Sequence, residues 1–370
     1  MKRNANIDGL LQSLLGSEKT TALFDTLNMP AALSHCEPGV VSRTELAQAM
    51  NMALFDGLIA RSANGRRYTA RALAAVRERR RAPGAAEHAR DDMSSVSAAA
   101  REPSAVCFDH GALRTVRWAQ NGALPPGEAA FARILIPLGF EMRNRYPLDK
   151  LGMTGRAYAH RDAPEDIAQF FVSELHPERF SPAFQEAVTQ IVSTSVDPLT
   201  PNAVALLWDL HRDGSLPLAY AQELLPVIVG AFARQHAVPR ERDYEAVLKE
   251  SAEMAWIATE GNAFNHATDR VTDVFALADA EKSLGLPMKP DVECSRSGRV
   301  FQTAYRADPV ERPFIDRDGR EITRTVPGSF YEFITRKHEF DKETGRWRLD
   351  LRFDAGNAQG IFKMTAGAVM

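Results

Sequence analysis

Cysteine is scarce. Cys36, Cys107 and Cys294 are the three in 370 residues, and no two lie at ligand spacing. An odd, scattered set argues against both a disulfide framework and a thiolate metal site. An excess of one charge is also missing. The formal net charge is -3, which argues against a chain that binds nucleic acid over its whole surface. No run of ~18 apolar residues exists, so no membrane-spanning helix is expected. The opening apolar segment around Leu10, Leu11, Leu14 and Leu15 is short and interrupted by Asp8 and Gln12, which does not suit a signal peptide. The expected compartment is the cytoplasm. With 45% apolar and 25% charged residues, the chain has the make-up of an ordinary globular protein with room for two or three domains.

What is present is a repeat. Phe108-Asp109-His110-Gly111-Ala112-Leu113-Arg114 and Phe264-Asn265-His266-Ala267-Thr268-Asp269-Arg270 both read Phe-x-His-x-x-x-Arg. On a strand, side chains four apart point the same way, so each His shares a face with an Arg ~13 Å along the chain. Two such strands suggest two related modules, each presenting a histidine to a shared site.

The rest of the chain is consistent with that duplication. Residues 1 to about 80 read as helical, with Ser42 and Glu45 forming a capping box. Helices followed by an Asn64-Gly65 dipeptide could form a winged helix. Arg61 to Arg90 holds nine Arg against two Glu, which fits either nucleic-acid contact or the solvated face of an accessory helical subdomain. Residues 82–104 lack apolar periodicity and read as a linker, closing an N-terminal part of 1–104. Residues 105–162 read as strand, helix and strands, the plan of a βαβββ module. Residues 163–260 read as a helical insertion whose first helix starts at Ala163-Pro164-Glu165-Asp166. Residues 261–370 repeat the βαβββ plan, with a helix from Val274 to Leu284, a hairpin turn at Asp318-Gly319 and a strand from Trp347 to Phe353. The fold class is α+β: two modules forming a curved sheet around one site.

The chemistry then rests on few side chains. His110 and His266 hold equivalent places in the two copies. Glu332 lies within Phe330-Tyr331-Glu332-Phe333-Ile334, apolar on both faces, and a carboxylate buried there needs a cation or strong donors. A metal between the two imidazoles would supply the cation; a salt bridge to Arg114, Arg270 or Arg336 is the alternative. Two His and one carboxylate leave three positions open on Fe(II), enough for a bidentate 2-oxo acid and O2, whereas zinc there would suit hydrolysis or isomerisation. Arg114 shares the face of His110. It could grip a carboxylate of a five- or six-carbon dicarboxylate, or it could pair with Glu332 or Asp109.

These motifs resemble the 2-oxoadipate dioxygenase/decarboxylase (2-hydroxyglutarate synthase) family, whose modules are like those of the vicinal-oxygen-chelate or glyoxalase fold. The similar segments are Asp109 to Arg114, Ala263 to Thr268, Pro287-Met288-Lys289, Gln302-Thr303-Ala304, Tyr331 to Arg336 and Gly360-Ile361-Phe362. The resemblance implies that His110, His266 and Glu332 hold Fe(II) and that Arg114 anchors a substrate carboxylate. It implies oxidative decarboxylation and hydroxylation of one 2-oxo acid, 2-oxoadipate giving 2-hydroxyglutarate and CO2 in lysine degradation. Asn357 belongs to a late substrate loop, Gly356-Asn357-Ala358-Gln359, which stands where the family has Val-Ser-Ala-Ala. The expected partners are a small 2-oxo acid and O2, without nucleic acid or membrane; assembly with like copies is left open. The alternatives are a glyoxalase-like metal-dependent lyase or hydrolase, and a small-molecule-sensing regulator.

Overall fold

The computed structural model describes residues 3–81, 106–342 and 345–354. The N-terminal part runs α1 (Ala5–Leu15), α2 (Ser17–Thr26), β1 (Val40–Ser42), α3 (Arg43–Arg61) and α4 (Ala63–Arg81). The first module is β2 (Phe108–Val116), α5 (Ala129–Leu135), β3 (Phe140–Leu148), β4 (Met153–His160) and β5 (Gln169–Leu175). Next come α6 (Pro182–Val192), α7 (Pro201–Asp213), β6 (Ser215–Pro217), α8 (Leu218–Gly230), α9 (Glu241–Leu248) and α10 (Ala252–Glu260). The second module is β7 (Phe264–Arg270), α11 (Val274–Ser283), β8 (Glu293–Cys294), β9 (Val300–Ala304) and β12 (Phe330–Arg336), interrupted by a hairpin of β10 (Pro309–Ile315) and β11 (Glu321–Pro327). A second hairpin, β13 (His338–Asp341) and β14 (Arg346–Leu349), follows.

Eight strands form one sheet in the order β3-β4-β5-β2-β7-β12-β9-β8. The order is the same read from the centre in either direction. In each half the first strand runs parallel to the last, β2 beside β5 and β7 beside β12, and the two halves meet where β2 and β7 run antiparallel. The α+β class and the duplicated βαβββ plan are therefore both present.

The register sets two rows of side chains across the four central strands. One row is Gln169, His110, Thr268 and Glu332; the next is Phe171, Ala112, His266 and Phe330. Alternation puts both rows on the same face. The opposite face is covered by α3 and α4, where Phe55 packs on Phe108 and Tyr68 on Phe333, with ring centroids 5.2 and 4.7 Å apart.

Three expectations change. Among the described residues no winged helix forms: Asn64 and Gly65 lie in the first turn of α4 and not in a hairpin turn. Glycine is needed at 65 for close approach, since a Cβ would lie 3.0 Å from the Tyr331 ring on β12. The Asn64 side chain, with its backbone N–H and the Ser62 hydroxyl, donates to Asp308 and fixes the α3–α4 corner. Residues 1–81 thus include a buttress behind the sheet.

The helix expected from Ala163 is a turn, and β5 follows within the stretch assigned to the insertion. Its sequence QFFVSEL is buried on both faces and so shows no alternation. The strand expected from Trp347 to Phe353 stops at Leu349 and pairs with β13 outside the main sheet. Residues 350–354 instead cross the open face. Gln169 donates to the Leu351 carbonyl, and the Phe353 N–H donates to the Tyr146 hydroxyl. The linker 82–104 lies outside the described residues, as do Asn357 and Gly360-Ile361-Phe362. Among the described residues no helix is long and apolar enough to cross a membrane.

Candidate metal centre

His110 on β2, His266 on β7 and Glu332 on β12 converge. One donor atom from each lies within 4.8 Å of the others, and all three residues are buried. The sheet brings them together because β2, β7 and β12 are neighbours and the three side chains belong to adjacent rows. The imidazole rings stand edge to face, 5.5 Å between centroids.

Each histidine is oriented by the residue before it. His110 Nδ1 lies 2.9 Å from Asp109 Oδ1, so an Nδ1–H donates there and Nε2 faces the site. Asp109 is held in turn by Arg336, whose Nε and second terminal nitrogen donate at 2.9–3.1 Å. Burial pushes the Asp109 carboxyl up, but Arg336, His110 and Arg270 outweigh it and hold the carboxylate well below its usual range. His266 Nδ1 lies 3.1 Å from the Asn265 amide nitrogen, while Asn265 Oδ1 is buried with no hydrogen-bond partner. Turning that amide over lets Oδ1 accept from Nδ1–H and frees His266 Nε2 as a ligand.

The electrostatics suit a cation. Burial lowers the His110 pKa against the pull of Asp109, and lowers that of His266 well below the ordinary value, with the charges of His110 and Arg114 adding to it. Both rings are therefore neutral ligands. Glu332 is 0% exposed, and among the described residues neither of its oxygens accepts a hydrogen bond. Burial, then repulsion from Glu293, raises its pKa well above the carboxylate range. The nearest basic nitrogen is His266 Nε2 at 3.3 Å. Among the described residues Arg114 pairs with Glu253, and Arg270 and Arg336 pair with Asp109, in place of the alternative salt bridge to Glu332. Two neutral imidazoles and an orphaned buried carboxylate are a donor set that fits a divalent metal. The Thr268 hydroxyl, 3.1 Å from His110 Nε2, occupies the lone pair that such an ion would use.

The three side chains border one cleft. Ala112, Phe171 and Phe353 make its apolar wall; Ser173, Asn265, Gln302 and Asp354 bring polar atoms. Phe353 also lies against His110, 4.8 Å between ring centroids. Arg114 is placed deeper. It is fully buried, with its Cζ 5.0 Å from the Trp256 ring and its NH1 3.5 Å from Glu253 on α10. Ser173, its partner across the strands, lines the cleft. Its counterpart Arg270 donates to the Glu165 carbonyl and to Cys107, so the repeated arginines have diverged. Asp109, Asn265, Arg336 and Phe171 were not singled out from sequence as parts of the site. The signal for two of them was available: Asp or Asn precedes the histidine in both copies.

The sequence model of the 2-oxoadipate dioxygenase/decarboxylase family matches residues 71–362. That is most of the chain. The chain belongs to this family. As a 2-oxoadipate dioxygenase/decarboxylase family enzyme, it also has structural relatives. A glyoxalase superfamily protein from Ralstonia eutropha JMP134 is 53% identical, with a TM-score of 0.83 over 96% of this chain and 100% of that one. The hydroxyglutarate synthase from Oryza sativa, solved with 2-oxoadipate, is 16% identical, with a TM-score of 0.59 over 90% and 98% of the two chains. At that identity the likeness is one of fold. No curated protein sequence matches the chain.

Proposed function

We propose that this chain is an Fe(II)-dependent dioxygenase that oxidatively decarboxylates and hydroxylates a 2-oxo acid. The preferred substrate in this reading is 2-oxoadipate, giving 2-hydroxyglutarate and CO2 in cytoplasmic lysine degradation. The observation that carries it is Glu332, buried without a hydrogen-bond partner beside two neutral imidazoles in a cleft. Family membership supplies the reaction class. A ferrous ion bound there would activate O2 and offer positions to the carboxylate and keto oxygens of the substrate.

The protein's own residues supply orientation and exclusion of water. Asp109 keeps His110 Nε2 turned to the site, and Asn265 does the same for His266. Ala112, Phe171 and Phe353 shield the reacting end from solvent. In this reading Arg114, behind the cleft wall beside Ser173, is the group assigned to a substrate carboxylate, and Asn357 is assigned to substrate binding.

The test is anaerobic purification, loading with Fe(II), and measurement of O2 uptake and CO2 release with a series of 2-oxo acids. Activity with Fe(II) and 2-oxoadipate supports the reading. Turnover of any tested acid without O2 uptake, or with zinc alone, would instead favour a lyase or hydrolase. Arg114→Ala should lower kcat/KM for dicarboxylic 2-oxo acids by roughly 10- to 100-fold, the loss of one charged hydrogen bond. Equal loss on monocarboxylic acids would make Arg114 a structural residue.

A further inference from the structure

The two halves of the sheet are related by an approximate two-fold axis between β2 and β7, and the register says which residues exchange. His110 exchanges with His266 and Thr268 with Ala112. At the outer ends, Gln169 exchanges with Phe330 and Phe171 with Glu332. Glu332 lies in the row of His110, two strands away, and one strand and one row from His266. Phe171 stands in the mirrored relation: it shares the row of His266, two strands away, and lies one strand and one row from His110.

Resting on the cation site argued above, we propose that Phe171 fills the ligand position that the duplication offers for a second carboxylate. It thereby holds the metal at three protein ligands and leaves the side facing the cleft open. The ring's seat is built for it. A Cβ on Gly155 of β4 would lie 2.4 Å from the Phe171 ring, so glycine there makes the room. Phe353 and Tyr146 pack on the ring at 5.0 and 5.7 Å between centroids. Phe171 is 5% exposed, yet it borders the same cleft as the three ligands. A carboxylate in that seat would give a symmetric set of two His and two Glu. Such a set leaves a six-coordinate metal two open positions, too few for a bidentate acid together with O2. A phenyl ring offers no donor atom, so the third position stays available. The number of open positions thus depends on a residue that makes no polar contact with the metal.

The symmetry supplies the experiment, with Co(II) as the probe and its visible absorption as the readout. Glu332→Phe alone should weaken Co(II) binding on the order of a hundredfold or more. Adding Phe171→Glu to it moves the carboxylate to the mirrored place with composition unchanged, and Co(II) affinity should return to within about tenfold of the starting chain. Phe171→Glu alone should bind Co(II) on the order of tenfold tighter, and oxalate should perturb its spectrum less than that of the starting chain. Circular dichroism checks folding. Phe171→His, which keeps a ring in the seat, replaces Phe171→Glu should the glutamate variants fail to fold, with the same tightening expected. A folded double variant that binds Co(II) no better than Glu332→Phe would overturn the proposal, as would wild-type affinity in the folded single variants. Failure of the unmutated chain to bind Co(II) would overturn the cation site itself, which separates the two readings.

Discussion

Glu332→Leu in metal-free protein is the sharpest test of the site. In the absence of a cation, the folded chain buries a carboxyl group with no hydrogen-bond partner. An unsatisfied buried polar group costs about 1–3 kcal/mol. Leucine of similar size removes that cost and sacrifices only the 3.3 Å contact with His266 Nε2, worth about 0.5–1.5 kcal/mol. The net expectation is a gain of about 0.5–1.5 kcal/mol, or roughly 1–2 °C in Tm for a chain of this length. The sign of the pH dependence follows from the raised pKa of Glu332. The folded state holds the proton more tightly than the unfolded one. The pH-dependent part of its penalty is absent below the unfolded carboxyl pKa and grows as pH rises toward the folded value, so the leucine variant should gain most at neutral to alkaline pH. Metal reverses the order. At 100 times Kd a bound ion stabilises the wild-type chain by about 2.7 kcal/mol and should leave the variant almost unmoved. Calorimetry with chelator and then with Fe(II) or Co(II) should show the two melting curves exchange places. A leucine variant less stable than wild type in chelator would mean that Glu332 is satisfied within the protein, and the metal argument would lose its footing.

Arg336→Met should leave the Asp109 carboxylate buried without its main partner, destabilising the fold by about 3–5 kcal/mol. It should also weaken Co(II) binding by roughly 10- to 100-fold through His110; Arg336→Lys should recover part of both, and unchanged metal affinity would rule out the positioning role. Asp269 lies behind the site, its carboxyl raised to about 7 by burial despite hydrogen bonds from the Cys107 N–H and Tyr68. A raised carboxyl pKa makes stability fall as pH climbs from about 4 to 7. Asp269→Asn should flatten that slope by an amount on the order of a few kcal/mol, read from urea denaturation at several pH values; an unchanged slope would refute it.

The long segment between the repeated histidines hides a simple relation, and local pattern was enough to see it. A period of two puts His110 and His266 on strand faces, and a carboxylate inside an apolar strand singles out Glu332. Capping chemistry likewise announces α3, whose Ser42–Glu45 box forms as expected. Local pattern misled where tertiary contact set the residue. Asn64-Gly65 resembles a hairpin turn, yet the glycine answers to the Tyr331 ring from a distant strand. The strand β5 shows no period of two in the sequence because burial on both faces erases alternation.

The sequence by itself determined the duplication, the α+β class and the three candidate ligands, because a repeated motif, the order of helical and strand periods, and a polar residue within an apolar strand are all local patterns. Only the tertiary structure decided which partners stand behind them: Arg336 on Asp109, Glu253 and Trp256 around Arg114, residues 350–354 across the cleft, and Phe171 in the place related to Glu332 by the two-fold axis. Those relations rest on the register between strands far apart in the chain. A shift of one residue in that register would turn every side chain to the other face, and no local pattern records it.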